Sequence, residues 1–213
     1  CESTVMEPLM NRVGGSVSQT VQFHVLYLFS GPERCQDGFQ KFCSDLGMKC
    51  TCLDIEYNPK HDLLCQDVWE DVQTEMDRYD AYLMSPPCST FSMARTGMGG
   101  PAPLRGISGK DRYGLRHLSI EDKAKVKEGT LLSRRAHSTA QRAQTHEKPW
   151  VLEQPHWRED GTSMFMLDEF LELAAEEGVE FHTFDQCQFG CAFEKITDLL
   201  SNIDDDIMEP FHQ

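Results

Sequence analysis

The chain has 213 residues, 39% hydrophobic, 26% charged and 9% aromatic, with a formal net charge of −15. These near-average values exclude a disordered polymer, a collagen-like repeat and a disulfide miniprotein, and the length suits one domain. No stretch approaches the roughly 18 consecutive apolar residues of a membrane span, since the longest run, from Val21 to Phe29, is interrupted by Gln22 and His24.

Residues 1–18 contain Pro, Gly and Ser without periodicity and read as a flexible leader, with a single domain over residues 19–213. Val21 to Phe29 is alternating, then continuously apolar, as expected of a buried parallel strand. A helix follows, because Phe39, Phe42, Cys43 and Leu46 recur at helical spacing and Gly47 stands at its end. Lys49 to Ile55 reads as a second strand. Cys65, Val68, Trp69, Val72 and Met76 form a second helical stripe, and Ala81 to Met84 a third strand. Residues 97–109 hold five Gly and two Pro and begin a mobile basic loop over about 93–117. Ser119 caps a long helix whose Leu132, Ala136, Thr139, Ala140 and Ala143 share a face. Trp150 to Leu152 is a strand, Thr162 or Ser163 opens another helix ending at Gly178, and Glu180 to Phe184 is the last clear strand. This alternation predicts an α/β fold with a doubly wound, mostly parallel sheet and helices on both faces.

Charge is unevenly distributed. Between Met93 and Lys148 twelve Lys and Arg stand against five acids, a net +7, while the remainder carries 8 basic and 30 acidic residues, a net −22. The acidic body argues against nucleic acid as a partner and the basic sector argues for it, although charge runs are commonly solvated faces. The nine cysteines, from Cys1 to Cys191, follow no framework spacing and read as thiols; with no secretion leader visible, the expectation is an intracellular protein, nuclear or cytoplasmic. Cys187-x3-Cys191 and Cys50-x-Cys52 lack zinc-finger spacing and no paired histidines complete them, so no metal is expected.

Ligands of such sheets bind beyond the carboxyl ends of the strands. There the chain places Ser30-Gly31-Pro32, Asp54 to Glu56, Asp62, Ser85-Pro86-Pro87-Cys88 and Glu153-Gln154-Pro155. A small-residue turn after the first strand with an acid after the second suits a nucleoside cofactor, but there is no G-x-G-x-x-G, and strand-end acids also serve as helix caps. Two prolines project Cys88 from a rigid turn, where it reads equally as a nucleophile or as a small buried hydrophobe. Tyr113, Trp150 and Trp157 suit base stacking or, more commonly, the core.

Taken in order, Phe29-Ser30-Gly31, Asp54, Asp62 in His-Asp-Leu-Leu, Ser-Pro-Pro-Cys at Cys88 and Glu153-Gln154-Pro155 after Trp-Val-Leu resemble the motifs of cytosine-5 DNA methyltransferases. The resemblance covers roughly residues 22–202 and is that of a divergent member without a visible target-recognition domain. It implies a Rossmann-like class I methyltransferase fold and S-adenosylmethionine as cofactor. Phe29, Ser30, Gly31, Asp54 or Glu56, Asp62 and Pro86 would then contact the cofactor, Cys88 would be the nucleophile, and Glu153 would grip the cytosine. Arg95, Arg105, Lys110, Arg112 and Arg116 would contact the phosphates of a nucleic acid, DNA in preference to RNA. Gln-Pro replaces the family's Asn-Val after Glu153, and the Gln-x-Arg-x-Arg motif is not found. The alternatives are a catalytically degenerate binding module on the same fold, with a protein partner supplying target recognition, and an amino methyltransferase, whose Ser-Pro-Pro turn needs no cysteine.

Overall fold

A computed structural model describes residues 22–32, 38–91, 100–157, 161–189 and 194–209; the expected leader, Arg95 and Cys191 lie outside them. In chain order the elements are β1 (His24–Leu28), α1 (Phe39–Asp45), β2 (Lys49–Leu53), α2 (Gln66–Glu75), β3 (Ala81–Met84), α3 (Ile120–Thr145) and β4 (Trp150–Pro155). These are followed by α4 (Asp168–Ala174), β5 (Glu180–Asp185), β6 (Ile196–Ser201) and α5 (Asp205–Met208). The strands form one sheet in the order β2-β1-β3-β4-β6-β5. β1 pairs in parallel with β2 and β3, and β3 with β4, whereas β6 runs antiparallel between β4 and β5. This is the doubly wound, mostly parallel, Rossmann-like α/β sheet that the alternation predicts.

Alternation along the strands assigns the two faces. Leu26, Leu28, Tyr82, Met84, Trp150, Leu152 and Leu200 point to one face and are buried against Val72 of α2, Ala136, Ala140 and Ala143 of α3, and Phe170 and Leu173 of α4. The alanines let the 26-residue α3 lie close to the sheet, and each large side chain buried there contributes about 2–3 kcal/mol. On the opposite face Tyr27 meets Phe39 of α1 edge-on, ring centroids 5.5 Å apart. Of the apolar stripe on α1 only Cys43 is buried, and Phe42 and Leu46 are exposed.

Three segments differ from expectation. Ser163 caps a short turn, Met164–Met166, by accepting a hydrogen bond from the Phe165 amide, and α4 starts only at Asp168. β6 was absent from the expected elements, because Thr197, Asp198 and Ser201 break its apolar pattern; inside the sheet all three are buried. Residues 100–117 of the expected basic loop are tied down. Leu104 and Arg105 are buried, the Gly106 amide donates to the Asp111 carbonyl, the Leu115 amide donates to the Leu104 carbonyl, and residues 109–113 form a 3-10 turn. Among the described residues no helix is long and apolar enough to cross a membrane, and no cluster of three or more metal-ligating side chains is found.

Candidate functional site

The turn leaving β1 takes a conformation that bulky residues avoid. Phe29 has φ 60° and Gly31 φ 71°, both in the left-handed region. Such strain persists only when neighbours enforce it. Here the Phe29 amide donates to the Leu53 carbonyl at 2.8 Å and the Gly31 amide to Asp54 Oδ2 at 3.0 Å. Asp54 Oδ1 accepts from the Glu56 amide at 2.7 Å, so both carboxylate oxygens brace the ends of β1 and β2. Glu56 itself is exposed.

Beyond β2, Asp62 Oδ1 accepts from the Leu64 amide at 2.8 Å, shaping the turn into α2. Buried Arg135 of α3 supports the same turn, donating to the Leu63 carbonyl, to the Cys65 carbonyl at 3.2 Å and to Gln66 Oε1 at 2.8 Å. Phe29, Gly31, Asp54, Glu56 and Asp62 thereby line one cavity of about 320 Å³, closed by Ile55, Leu63, Leu64 and Leu132 and reaching Ser85 and Pro87. His61 also lines it, with Nδ1 buried and without a hydrogen bond; its ring stacks on Tyr57. Neither Ser30 nor Pro86 is part of the lining. The Ser30 hydroxyl donates to the Gly31 carbonyl at 3.4 Å, and the Pro86 carbonyl accepts from Gln154 Nε2 at 2.6 Å.

The Pro86–Gln154 bond ties the turn after β3 to the end of β4, and so brings Cys88 within electrostatic reach of Glu153. The Phe91 amide donates to the Cys88 carbonyl at 2.8 Å, and Thr162 Oγ1 donates to the Phe91 carbonyl at 2.8 Å. Burial pushes the Cys88 thiol above its ordinary pKa and the charge of Glu153 adds to the rise, against a smaller opposing pull from Lys195. The thiol is therefore mainly protonated at neutral pH. Lys195 Nζ stands 3.5 Å from Glu153 Oε1, which is buried and makes no hydrogen bond. Glu153 and Lys195 share with Ser85 and Tyr27 a second cavity of about 550 Å³, floored by Leu83, Val151 and Leu199 on the thinly covered sheet face. A third cavity, of about 10 Å³, lies between Cys88, Gln154, His156 and Ser163.

Sequence reasoning missed His61, His156 and Lys195. Their signal was position alone, since His156 directly follows Glu-Gln-Pro and Lys195 directly precedes β6. The expected phosphate contacts divide. Arg105 is 2% exposed, which corrects its assignment to a phosphate-binding surface. Its guanidinium donates to Thr90 Oγ1 (3.1 Å), the Arg112 carbonyl (3.1 Å), the Val126 carbonyl (3.0 Å) and Thr130 Oγ1 (3.0 Å), and it lies 3.8 Å from the Phe91 ring centroid. Arg112 is partly covered, donating to the Ile107 and Met166 carbonyls and standing 3.6 Å from Asp168. Lys110 and Arg116 are exposed.

No family model matches the chain, and no curated protein matches it. Among solved structures the chain is similar to the crystal structure of the S. pombe Dnmt2 methyltransferase, with 12% identity and a TM-score of 0.46. The match covers 89% of this chain and 54% of that one, so the chain spans about half the length of that protein.

Proposed function

We propose that the chain is an S-adenosylmethionine-dependent methyltransferase that methylates cytosine C5 in nucleic acid through a covalent adduct at Cys88. The observation that carries this reading is the 320 Å³ cavity, where residues from the ends of β1 and β2 and the turn before α2 meet one residue from Cys88. Its size is that of a small-molecule site. The residues fit the cofactor: exposed Glu56 offers acceptors for a ribose, Leu63, Leu64 and Leu132 offer flat apolar walls for a purine, and the orphan His61 nitrogen and Asp62 offer polar contacts. When bound, S-adenosylmethionine supplies an electrophilic methyl group.

The chain's own residues supply the rest. Cytosine C5 is a poor nucleophile, and addition of the Cys88 thiolate to C6 moves the C5–C6 electron pair onto C5, making it enamine-like. Once C5 carries the methyl group, its C5–H bond breaks with the proton lost to water, that electron pair re-forms the C5–C6 double bond, and the sulfur–carbon bond breaks with its pair left on Cys88. Glu153 shares a proton with N3, which neutralises the charge developing there, and contacts the exocyclic amine. Its buried Oε1, which faces Lys195 but makes no hydrogen bond, suits a group that takes up a ligand. A target base in a duplex must leave its stack to reach this pocket. Lys110 and Arg116, with Arg112 beside them, are the candidate phosphate contacts, and DNA is the favoured polymer.

Titration calorimetry with S-adenosylmethionine tests the reading. Saturable binding is expected, weakened about tenfold or more in Glu56→Ala and Asp62→Ala, because a hydrogen bond to a charged group contributes about 1.5–3 kcal/mol. Absence of binding by the folded protein would overturn it. Cys88→Ser should retain cofactor binding and lose methyl transfer.

A further inference from the structure

The suppressed ionisation of Cys88 leaves a requirement that Glu153 cannot meet: a nucleophilic thiol needs a base, and a neighbouring carboxylate disfavours the thiolate. His156 stands near Cys88. The two residues border the same 10 Å³ cavity, with Gln154, Thr162 and Ser163 as the remaining polar walls. That volume is about what a single water needs, and proton transfer over one water is within reach of a general base.

His156 is held by a built support. Its Nδ1 lies 2.8 Å from Asp198 Oδ1, and its amide donates to the Ile196 carbonyl at 3.0 Å. Asp198, 2% exposed in the middle of β6, stands opposite Gln154 of β4 and Thr183 of β5. Its carboxylate also accepts from Thr183 Oγ1 at 2.7 Å and the Trp157 amide at 3.2 Å. A buried carboxylate so placed sets Nδ1 as the protonated nitrogen and leaves Nε2 as the acceptor, the logic of a nucleophile, base and orienting acid.

We infer that His156 is the base that deprotonates Cys88, with Asp198 as its positioning residue. The inference rests on the reading of Cys88 as the nucleophile. The S–H bond breaks with its electron pair left on sulfur, and the proton forms an N–H bond at Nε2, producing a thiolate and an imidazolium. When the sulfur–carbon bond later breaks, that proton returns to sulfur. The charged groups facing the thiol are Glu153 of β4 and Lys195 ahead of β6. His156 faces Asp198, and Arg105 lies on the ring of Phe91, three residues from Cys88.

The test is alkylation of Cys88 by iodoacetamide, followed by peptide mass spectrometry from pH 5.5 to 10 in the full chain. In the wild type the rate should rise with pH. His156→Gln should slow alkylation at pH 7.5 about tenfold and change the shape of the pH profile, and Asp198→Asn should slow it less. His156 is half-exposed, so its variants are expected to fold, which circular dichroism checks. Imidazole added to His156→Ala should restore the rate, which a purely structural role would not allow. A pH profile unchanged in His156→Gln, or no rescue by imidazole, would overturn the inference. No methyl donor or nucleic acid takes part, so failure of the methyltransferase reading, seen as absent cofactor binding, is distinguishable from failure of this one.

Discussion

Arg105 illustrates how a single charge changes meaning with burial. A guanidinium enclosed by neutral acceptors loses hydration, and burial lowers its pKa to about 10. It is retained because its planar fork satisfies Thr90, Arg112, Val126 and Thr130 together and covers Phe91. Arg105→Ala should cost about 2–4 kcal/mol in urea denaturation, because it strands several buried acceptors. Arg105→Lys should recover only part of this, since an ammonium cannot reproduce the fork. A fully stable alanine variant would refute the clamp. Gly31 provides a second test at this scale. Its φ of 71° disfavours any side chain, although a Cβ at this position would meet nothing within 4 Å. Gly31→Ala should therefore destabilise by about 1 kcal/mol through backbone strain alone.

At the scale of elements, α3 is the spine on which the site is assembled. Through Arg135 it holds the turn carrying Asp62, and through Val126 and Thr130 it holds Arg105, hence the Thr90–Phe91 turn that follows Cys88. Gly129 lets these parts approach. A Cβ there would stand 2.7 Å from Thr90 Oγ1 and 3.4 Å from Arg105 Nη2. Intrinsic helix propensity favours Gly129→Ala by about 1 kcal/mol. The clash falls on a hydroxyl pinned by Arg105, so the expected net result is a lower denaturation midpoint. A higher midpoint would mean that the contact yields without cost.

For the whole molecule, charge and pH set the remaining expectations. His24 and His137 are both held below the ordinary 6.5, chiefly by burial, with Lys49 adding to the effect at His24 and Glu169 opposing it at His137. A histidine with a depressed folded pKa favours the unfolded chain when protonated. The stability it contributes is present above 6.5 and is lost as pH falls through the folded value. The stability lost between pH 7.5 and 5.5 should accordingly be smaller in His137→Gln than in the wild type; an equal loss would exclude His137 as a source. Nucleic-acid affinity, under the proposed function, should fall steeply with salt. Replacing Lys110 and Arg116 together should reduce the log–log salt slope by about 2, one unit per phosphate contact. An unchanged slope would place the phosphate contacts elsewhere.

The order of strands and helices up to β5 was legible in the amino-acid sequence because period-2 and period-3.6 patterns are local and survive without knowledge of the partner. The strand-end motifs were legible for a related reason, since a parallel sheet must bring the ends of β1, β2, β3 and β4 to one edge. Three things were decided only by tertiary structure. β6 carries Asp198 where a pattern demands an apolar residue, and its hydrogen-bond partners, Thr183 across the sheet and His156 just beyond β4, make the burial of that carboxylate tolerable. Arg105 reads as surface charge because sequence records charge and not enclosure. The cavity joining Phe29, Asp54 and Asp62 to the turn before Cys88 exists because parallel crossovers bring together segments far apart along the chain.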